Sequence, residues 1–180
     1  MKSFTEFTTL GDLLIKSADK FGSNPVIIFP EQKISYEELK RRAYHRAQAL
    51  VAHDIGPRSH VGILMANCIE YIEYLFAAQL IGAMAVPINA RYKAPELAYI
   101  LDNADIDLLV THDAISEYAN FGQLIDDALV EKTPQRLKHL VMIGTKRKGF
   151  ISDEDFLIKG KTVDTKIVDE MRSQVSLRNP

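Results

Sequence analysis

Apolar positions along the chain change period several times, and each change marks a new element. In "TTLGDLLIKSADKFG" Leu10, Leu13, Leu14, Ala18 and Phe21 recur at helical spacing, with Thr9 as the predicted cap and Gly22 as the stop. The runs "PVIIF" and "KIS" read as two short strands, with residues 30–32 as the hairpin turn between them. "SYEELKRRAYHRAQALVAHDIG" opens with a capping box. Ser35 is predicted to accept from the backbone N–H of Glu38, whose carboxylate reaches back to the N–H of Ser35. Tyr36, Leu39, Ala43, Ala47 and Leu50 form the buried stripe of this helix, and Gly56 with Pro57 closes it.

From there the pattern alternates. "HVGILMA" reads as a strand and "NCIEYIEYLFAAQLIG" as a helix capped by Asn67. "AMAVPI" is a strand, "PELAYILDNA" a helix and "DLLVTH" a strand; a helical stretch around residues 121–130 and the strand "HLVMIG" follow. Strands that show little alternation and are separated by helices imply a parallel sheet covered on both faces, so the fold class is α/β. Residues 1–144 form this α/β subdomain. Residues 145–180 read as a peripheral extension, in which "SDEDFLI" makes a short helix capped by Ser152. The rest, "KGKTVDTKIVDEMRSQVSLRNP", carries few apolar residues and ends in a loop-like Asn-Pro.

Composition narrows the function classes. The 180 residues suffice for one domain that buries ~70% of its unfolded surface. A hydrophobic content of 47% against 26% charged argues for a packed domain over a disordered one. The net charge of -2 gives no global basic field to recruit nucleic acid or an anionic membrane. Cys68 is the only cysteine, so an internal disulfide is excluded and a reducing compartment is favoured. The opening "MKSFTEFTTL" has an early Glu6 and no apolar core, so no signal peptide is read there. The longest uncharged run, residues 74–90, is 17 residues long and contains Gln79, Gly82, Pro87 and Asn89. It falls short of the ~18 apolar residues of a spanning helix. The expectation is a soluble, cytoplasmic protein with no transmembrane segment.

Several stretches invite a chemical reading. "GTKRKGFI" follows a strand, and Gly144 and Gly149 have the spacing of a phosphate-cradling loop, but Phe150 and Ile151 stand where Lys and Ser/Thr are needed. It is read as a surface loop, with Lys146, Arg147 and Lys148 solvated. His45, His53, His60, His112 and His139 never fall at metal-ligand spacing, so no metal residue is assigned. His112-Asp113 lies just past a strand, where open α/β sheets place ligands, and is read as loop chemistry. Cys68 is read as a small packed residue. Lys40, Arg41, Arg42 and Arg46 are assigned to a solvated helix face, with Glu37-Arg41 and Glu38-Arg42 as i,i+4 pairs. Taken alone, these residues specify no reaction.

The order of segments says more. "ISYEEL" at 34–39, "GILMANCIEYIEYLFAAQLIGAMAVPINARYKAPELAYIL" at 62–101 and "DNADIDLLVTHD" at 102–113 resemble the N-terminal region of adenylate-forming (AMP-binding) enzymes. That superfamily includes acyl-CoA synthetases, aryl-CoA ligases, luciferases and the adenylation domains of peptide synthetases. The resemblance runs over roughly residues 8–143. "VPINAR" looks like the CoA-ligase version, since peptide synthetases usually have Asp in place of Asn89 and lack Arg91. The resemblance implies a ligase that uses ATP, CoA and Mg to convert a carboxylic acid to an acyl-adenylate and then to an acyl-CoA.

The family's Ser/Thr/Gly-rich phosphate loop, its aromatic-Thr-Glu segment, its ribose-binding Asp and its catalytic Lys find no counterpart here. No catalytic residue is therefore assigned. The chain resembles the first subdomain of a longer enzyme, and is expected to fold but neither to adenylate nor to bind these cofactors tightly by itself. Its carboxylic acid substrate would be met through the missing remainder, and the face left by that remainder is expected to promote self-association. The alternative is a free-standing α/β module that binds a nucleotide or a partner without catalysis. One cofactor-binding residue is implied by the resemblance. In some similar CoA ligases, the arginine two places after the Asn of "P-x-N-x-R", here Arg91, contacts the nucleotide phosphates of CoA. The competing reading pairs Arg91 with Glu96.

Overall fold

The computed structural model describes residues 9–30, 32–113 and 120–176. The readings made at Glu6, at Glu31 in the hairpin turn and at the final Asn179-Pro180 lie outside the described residues. The chain runs through α1 (Leu10–Phe21), β1 (Pro25–Ile28), β2 (Lys33–Ser35), α2 (Tyr36–Ala52), β3 (His60–Leu64), α3 (Ile69–Leu80) and β4 (Met84–Pro87). It continues through α4 (Ala94–Asn103), β5 (Leu108–His112), α5 (Phe121–Glu131), β6 (His139–Ile143), β7 (Ile151–Ser152), α6 (Asp153–Gly160) and α7 (Thr165–Gln174). β1 and β2 pair as an antiparallel ribbon. The other five strands form a parallel sheet in the order β4-β3-β5-β6-β7.

Strand alternation divides the core in two. Val61, Ile63, Leu108, Val110 and Val141 face a layer that includes Leu14 of α1, Leu39 and Leu50 of α2, Tyr74 and Leu80 of α3, Phe156 of α6 and Val168 of α7. Leu64 and Leu109 face the other way, onto Leu97 and Leu101 of α4 and Ile125 of α5. With helices on both faces, the central strands lose their polar side. β5 is buried at all five positions, as its near-continuous apolar run implies.

Helix starts follow the capping residues, with two corrections. Thr9 accepts from the Asp12 N–H and Ser35 from the Glu38 N–H, each at 3.1 Å, and Ser152 accepts from Asp155 at 3.2 Å. The reciprocal half of the Ser35 box is absent, because the Glu38 carboxylate is taken by Arg41 at 2.7–2.8 Å and by Arg42 at 2.6 Å. A guanidinium is the stronger donor for a carboxylate than a neutral N–H. Arg41 thus pairs with Glu38 rather than Glu37. The helix assigned to Asn67 begins one residue later: Cys68 is the cap residue of α3 and makes no side-chain cap hydrogen bond. α2 likewise ends before Gly56, at Ala52, where Asp54 takes a positive φ of 60°.

Apolar periodicity overstated the burial of α1. Leu14 and Ala18 are buried, whereas Leu10, Leu13 and Phe21 remain 46%, 45% and 39% exposed. Beyond residue 144 the chain contributes to the core already built. Phe156 and Val168 are fully buried in it, and "DTKIVDEMRSQ" forms α7 from an Asp164 cap. α6 crosses α2 so closely that a Cβ at Gly160 would lie 2.7 Å from the Ala49 nitrogen, a distance only glycine tolerates.

The largest departure from the sequence reading is Arg46, assigned there to a solvated face. It is 6% exposed and donates to Glu73 Oε2 at 2.7 Å and to Tyr74 Oη at 3.3 Å, and also pairs with Asp153. Tyr74 in turn donates to Asp153 at 2.9 Å, and Arg42 reaches Glu73 at 3.3 Å. Burial opposes the charge on Arg46, but Tyr74, Asp153 and Glu73 more than offset it and its pKa is raised. The network ties α2, α3 and the start of α6 together through charges that satisfy one another.

Candidate functional site

In the sheet order β4-β3-β5-β6-β7 the chain steps from β3 to β4 on one side and then returns past β3 to add β5, β6 and β7 on the other. The order reverses between β3 and β5, and the crevice outside their carboxyl ends is where open α/β sheets bind ligands. Residues 65–68 after β3 and Asp113 after β5 emerge there, and residues 88–93 after β4 lie on the same carboxyl edge, one strand outside the crevice.

The connection after β4 is built by its own sequence. β4 is an edge strand rather than a buried one, and Pro87 is its last residue, where the missing N–H costs no ladder bond. Ile88 is buried and donates its N–H to Ile63 O at 3.0 Å, which anchors the exit of the strand. Asn89 then turns the chain: its Oδ1 accepts the Arg91 N–H at 3.0 Å, and its carbonyl accepts the Tyr92 N–H at 3.1 Å. Short side chains that bind the backbone two residues on make turns of this kind. Glu96 accepts the Lys93 N–H at 2.8 Å and so fixes the start of α4, with Pro95 in its first turn.

Arg91 is exposed on this turn. Glu96, the carboxylate proposed as its partner from sequence, is engaged with the Lys93 backbone instead. Among the described residues no carboxylate lies within ion-pair distance of the Arg91 guanidinium. A permanently charged planar fork is thus presented to solvent at the carboxyl edge of the sheet, a geometry suited to phosphate or carboxylate.

The other sequence candidates lie elsewhere or are otherwise occupied. His112 is buried at 3% exposure, and its Nδ1 has no hydrogen-bond partner among the described residues. Asp113 does not orient it: the carboxylate accepts from the Thr145 N–H at 3.2 Å and from the Thr145 hydroxyl. The two therefore form no acid–base dyad, and β3 separates β5 from the Arg91 turn by two strand spacings, roughly 10 Å. Gly144 has a φ of +99° and packs against Asp113, where a Cβ would meet Oδ1 at 2.1 Å. In the following loop Lys146 and Lys148 are exposed, while Arg147 pairs with Asp126 of α5 and lies over the Phe150 ring.

Burial pushes the Cys68 thiol up to about 12, so it is a protonated packing group. His53 and His60 each bind a backbone carbonyl, of Ala49 at 2.9 Å and Ala104 at 2.6 Å. No group of three or more His, Cys, Asp or Glu suited to a metal occurs among the described residues.

Comparison with known proteins places this geometry in context. The family model described as "AMP-binding enzyme" matches residues 14–175. YngI of Bacillus subtilis is 30% identical over 180 residues, covering 92% of this chain and 33% of its own length. The acyl-CoA ligase sidI of Aspergillus fumigatus is 29% identical over 157 residues, covering 84% of this chain and 27% of its own. The fold is similar to that of the anthranilate CoA ligase AuaEII, crystallised with anthranoyl-AMP. Its TM-score is 0.74 at 24% identity, over 84% of this chain and 28% of the other. The chain thus spans a third or less of the length of these proteins.

Proposed function

The chain belongs to the AMP-binding enzyme family, and on that premise we propose that it is the N-terminal subdomain of an ATP-dependent ligase that joins a carboxylic acid to CoA. The acid attacks ATP to give an acyl-adenylate and pyrophosphate, and the CoA thiol then displaces AMP. Relatives named as CoA ligases, in sequence and in fold, support this reading. ATP and Mg are assigned to parts of the enzyme outside these 180 residues. The observation that carries a role for this chain is the Arg91 guanidinium, exposed, without a carboxylate partner among the described residues, and held on a fixed turn. We assign it to the nucleotide phosphates of CoA.

A cytoplasmic setting is supported by the single cysteine, and among the described residues no helix is long and apolar enough to cross a membrane. The exposed Leu10, Leu13 and Phe21 of α1 and Ile28 of β1 support a further apolar contact, with the rest of the ligase or with a second copy.

The test is Arg91→Ala in the longer protein. Loss of a charge-assisted bond worth ~1.5–3 kcal/mol raises the apparent KM for CoA by roughly 10- to 150-fold. The loss is concentrated in the CoA half-reaction. Equal losses in adenylation and thioester formation would make Arg91 structural, and no loss in either would make it a bystander.

A further inference from the structure

Arg91 can serve a phosphate only if nothing nearer claims its charge, and the residue two places before it decides that. Asn89 Oδ1 accepts the Arg91 backbone N–H at 3.0 Å, so this side chain is hydrogen-bonded to the residue that bears the guanidinium. The same contact could be made by an aspartate, which has the same shape and the same acceptor atom. An aspartate would differ in one respect: it would set a full negative charge two residues from the guanidinium-bearing residue, hydrogen-bonded to its backbone on an exposed turn. The other charged groups on the connection are already disposed. Glu96 is bound to the Lys93 backbone N–H, and the exposed Lys93 adds a second positive charge.

We propose that Asn89 is a positioning residue for CoA, fixing the Arg91 backbone through a neutral acceptor and leaving the charge of its side chain free for phosphate. This rests on the assignment of Arg91 to CoA given above. The chemistry makes two separable demands, an acceptor at position 89 and no charge there. Asn89→Asp keeps the acceptor and adds the charge. Asn89→Ala removes the acceptor, and Asn89→Ser keeps a neutral oxygen able to make the same turn. A residue that merely shapes the turn would tolerate Asp well and Ala poorly. A residue that must be neutral would not tolerate Asp.

The first readout needs no activity. In the 180-residue chain, the Arg91 Nε–H signal is followed by NMR relaxation. In the parent sequence the side chain moves freely, with an order parameter below ~0.6, and in Asn89→Asp it becomes ordered as it pairs with the new carboxylate. Added salt restores the motion, as screening of an exposed pair requires. The second readout is saturation by CoA in the longer ligase, measured against adenylation. Asn89→Asp raises the apparent KM for CoA by roughly 3- to 30-fold, from lost attraction and added repulsion together. Asn89→Ser stays within about twofold of the parent protein.

An Asn89→Asp protein with unchanged CoA saturation and a still-mobile Arg91 overturns the inference. If Arg91→Ala raises the KM while Asn89→Asp does not, the inference fails and the CoA assignment stands. If Arg91→Ala itself has no effect on CoA, it is the assignment that fails.

Discussion

Replacing Arg46 with methionine removes the hub of the buried network while keeping an unbranched side chain of similar length. Glu73 is 2% exposed and would be left with Arg42 alone, at 3.3 Å. Asp153 would be left with the Tyr74 hydroxyl at 2.9 Å. Breaking a buried ion pair from one side costs about 3–5 kcal/mol, because a desolvated charge loses its partner. The residual contacts of Glu73 and Asp153 place the expectation at the lower end, about 3 kcal/mol. In a chain of this length each kcal/mol moves Tm by about 2–4 °C, so a fall of roughly 6–12 °C is expected. The chain has no tryptophan, so urea unfolding is best followed by far-UV circular dichroism. The decisive arm is Arg46→Met combined with Glu73→Leu. With both charges gone, the double variant should recover to within about 2 kcal/mol of the parent protein. A single variant that costs less than about 1 kcal/mol, or a double variant no more stable than the single, would refute the account.

Three further outcomes are expected. Burial alone would raise the pKa of Asp107, but the His60 N–H, Arg136 and Lys138 hold it below 3.8. Its contribution is therefore complete above the unfolded value and lost as pH falls through the folded one, so Asp107→Asn should flatten the decline in urea midpoint below about pH 4. Burial among Phe156, His139 and Lys159 holds His53 below 6.5. Stability is then complete above that value and falls as acid charges the buried ring, a decline His53→Gln should reduce in midpoints taken between about pH 7.5 and 5. Ser35→Ala should cost about 1 kcal/mol and Ser35→Gly only a few tenths in the same assay, and equal, negligible effects would show that Ser35 does not cap α2.

What could be seen in the sequence follows from the physics of each part. Strand runs and helix stripes depend on local periodicity, so β3 to β6 and the caps at Thr9, Ser35 and Ser152 were legible. Arg46 was not, because charge was taken to mean solvent. Yet it stands three residues after Ala43 and four before Leu50, on the buried side of its helix, and Glu73 stands likewise within the apolar run of α3. Opposite charges at core positions of successive helices were the signal. The place of Arg91 was legible as the connection between the strand "AMAVPI" and the helix "PELAYILDNA". The contest for Glu96 was not, because only the folded turn shows that carboxylate turned back onto Lys93. The burial of Phe156 and Val168 depends on long-range contacts with a core built earlier in the chain, which local pattern does not encode.

The most direct test is carboxylate-dependent exchange of labelled pyrophosphate into ATP, measured in parallel for the 180-residue chain and for the longer ligase proposed above. Exchange is expected in the longer protein with at least one member of a panel of aliphatic and aryl acids. Conversion of the adenylate to a thioester is expected when CoA is added, and no exchange above the enzyme-free blank for the 180 residues alone. Clear exchange by the short chain, or none by the longer protein across the whole panel, would contradict the proposed function.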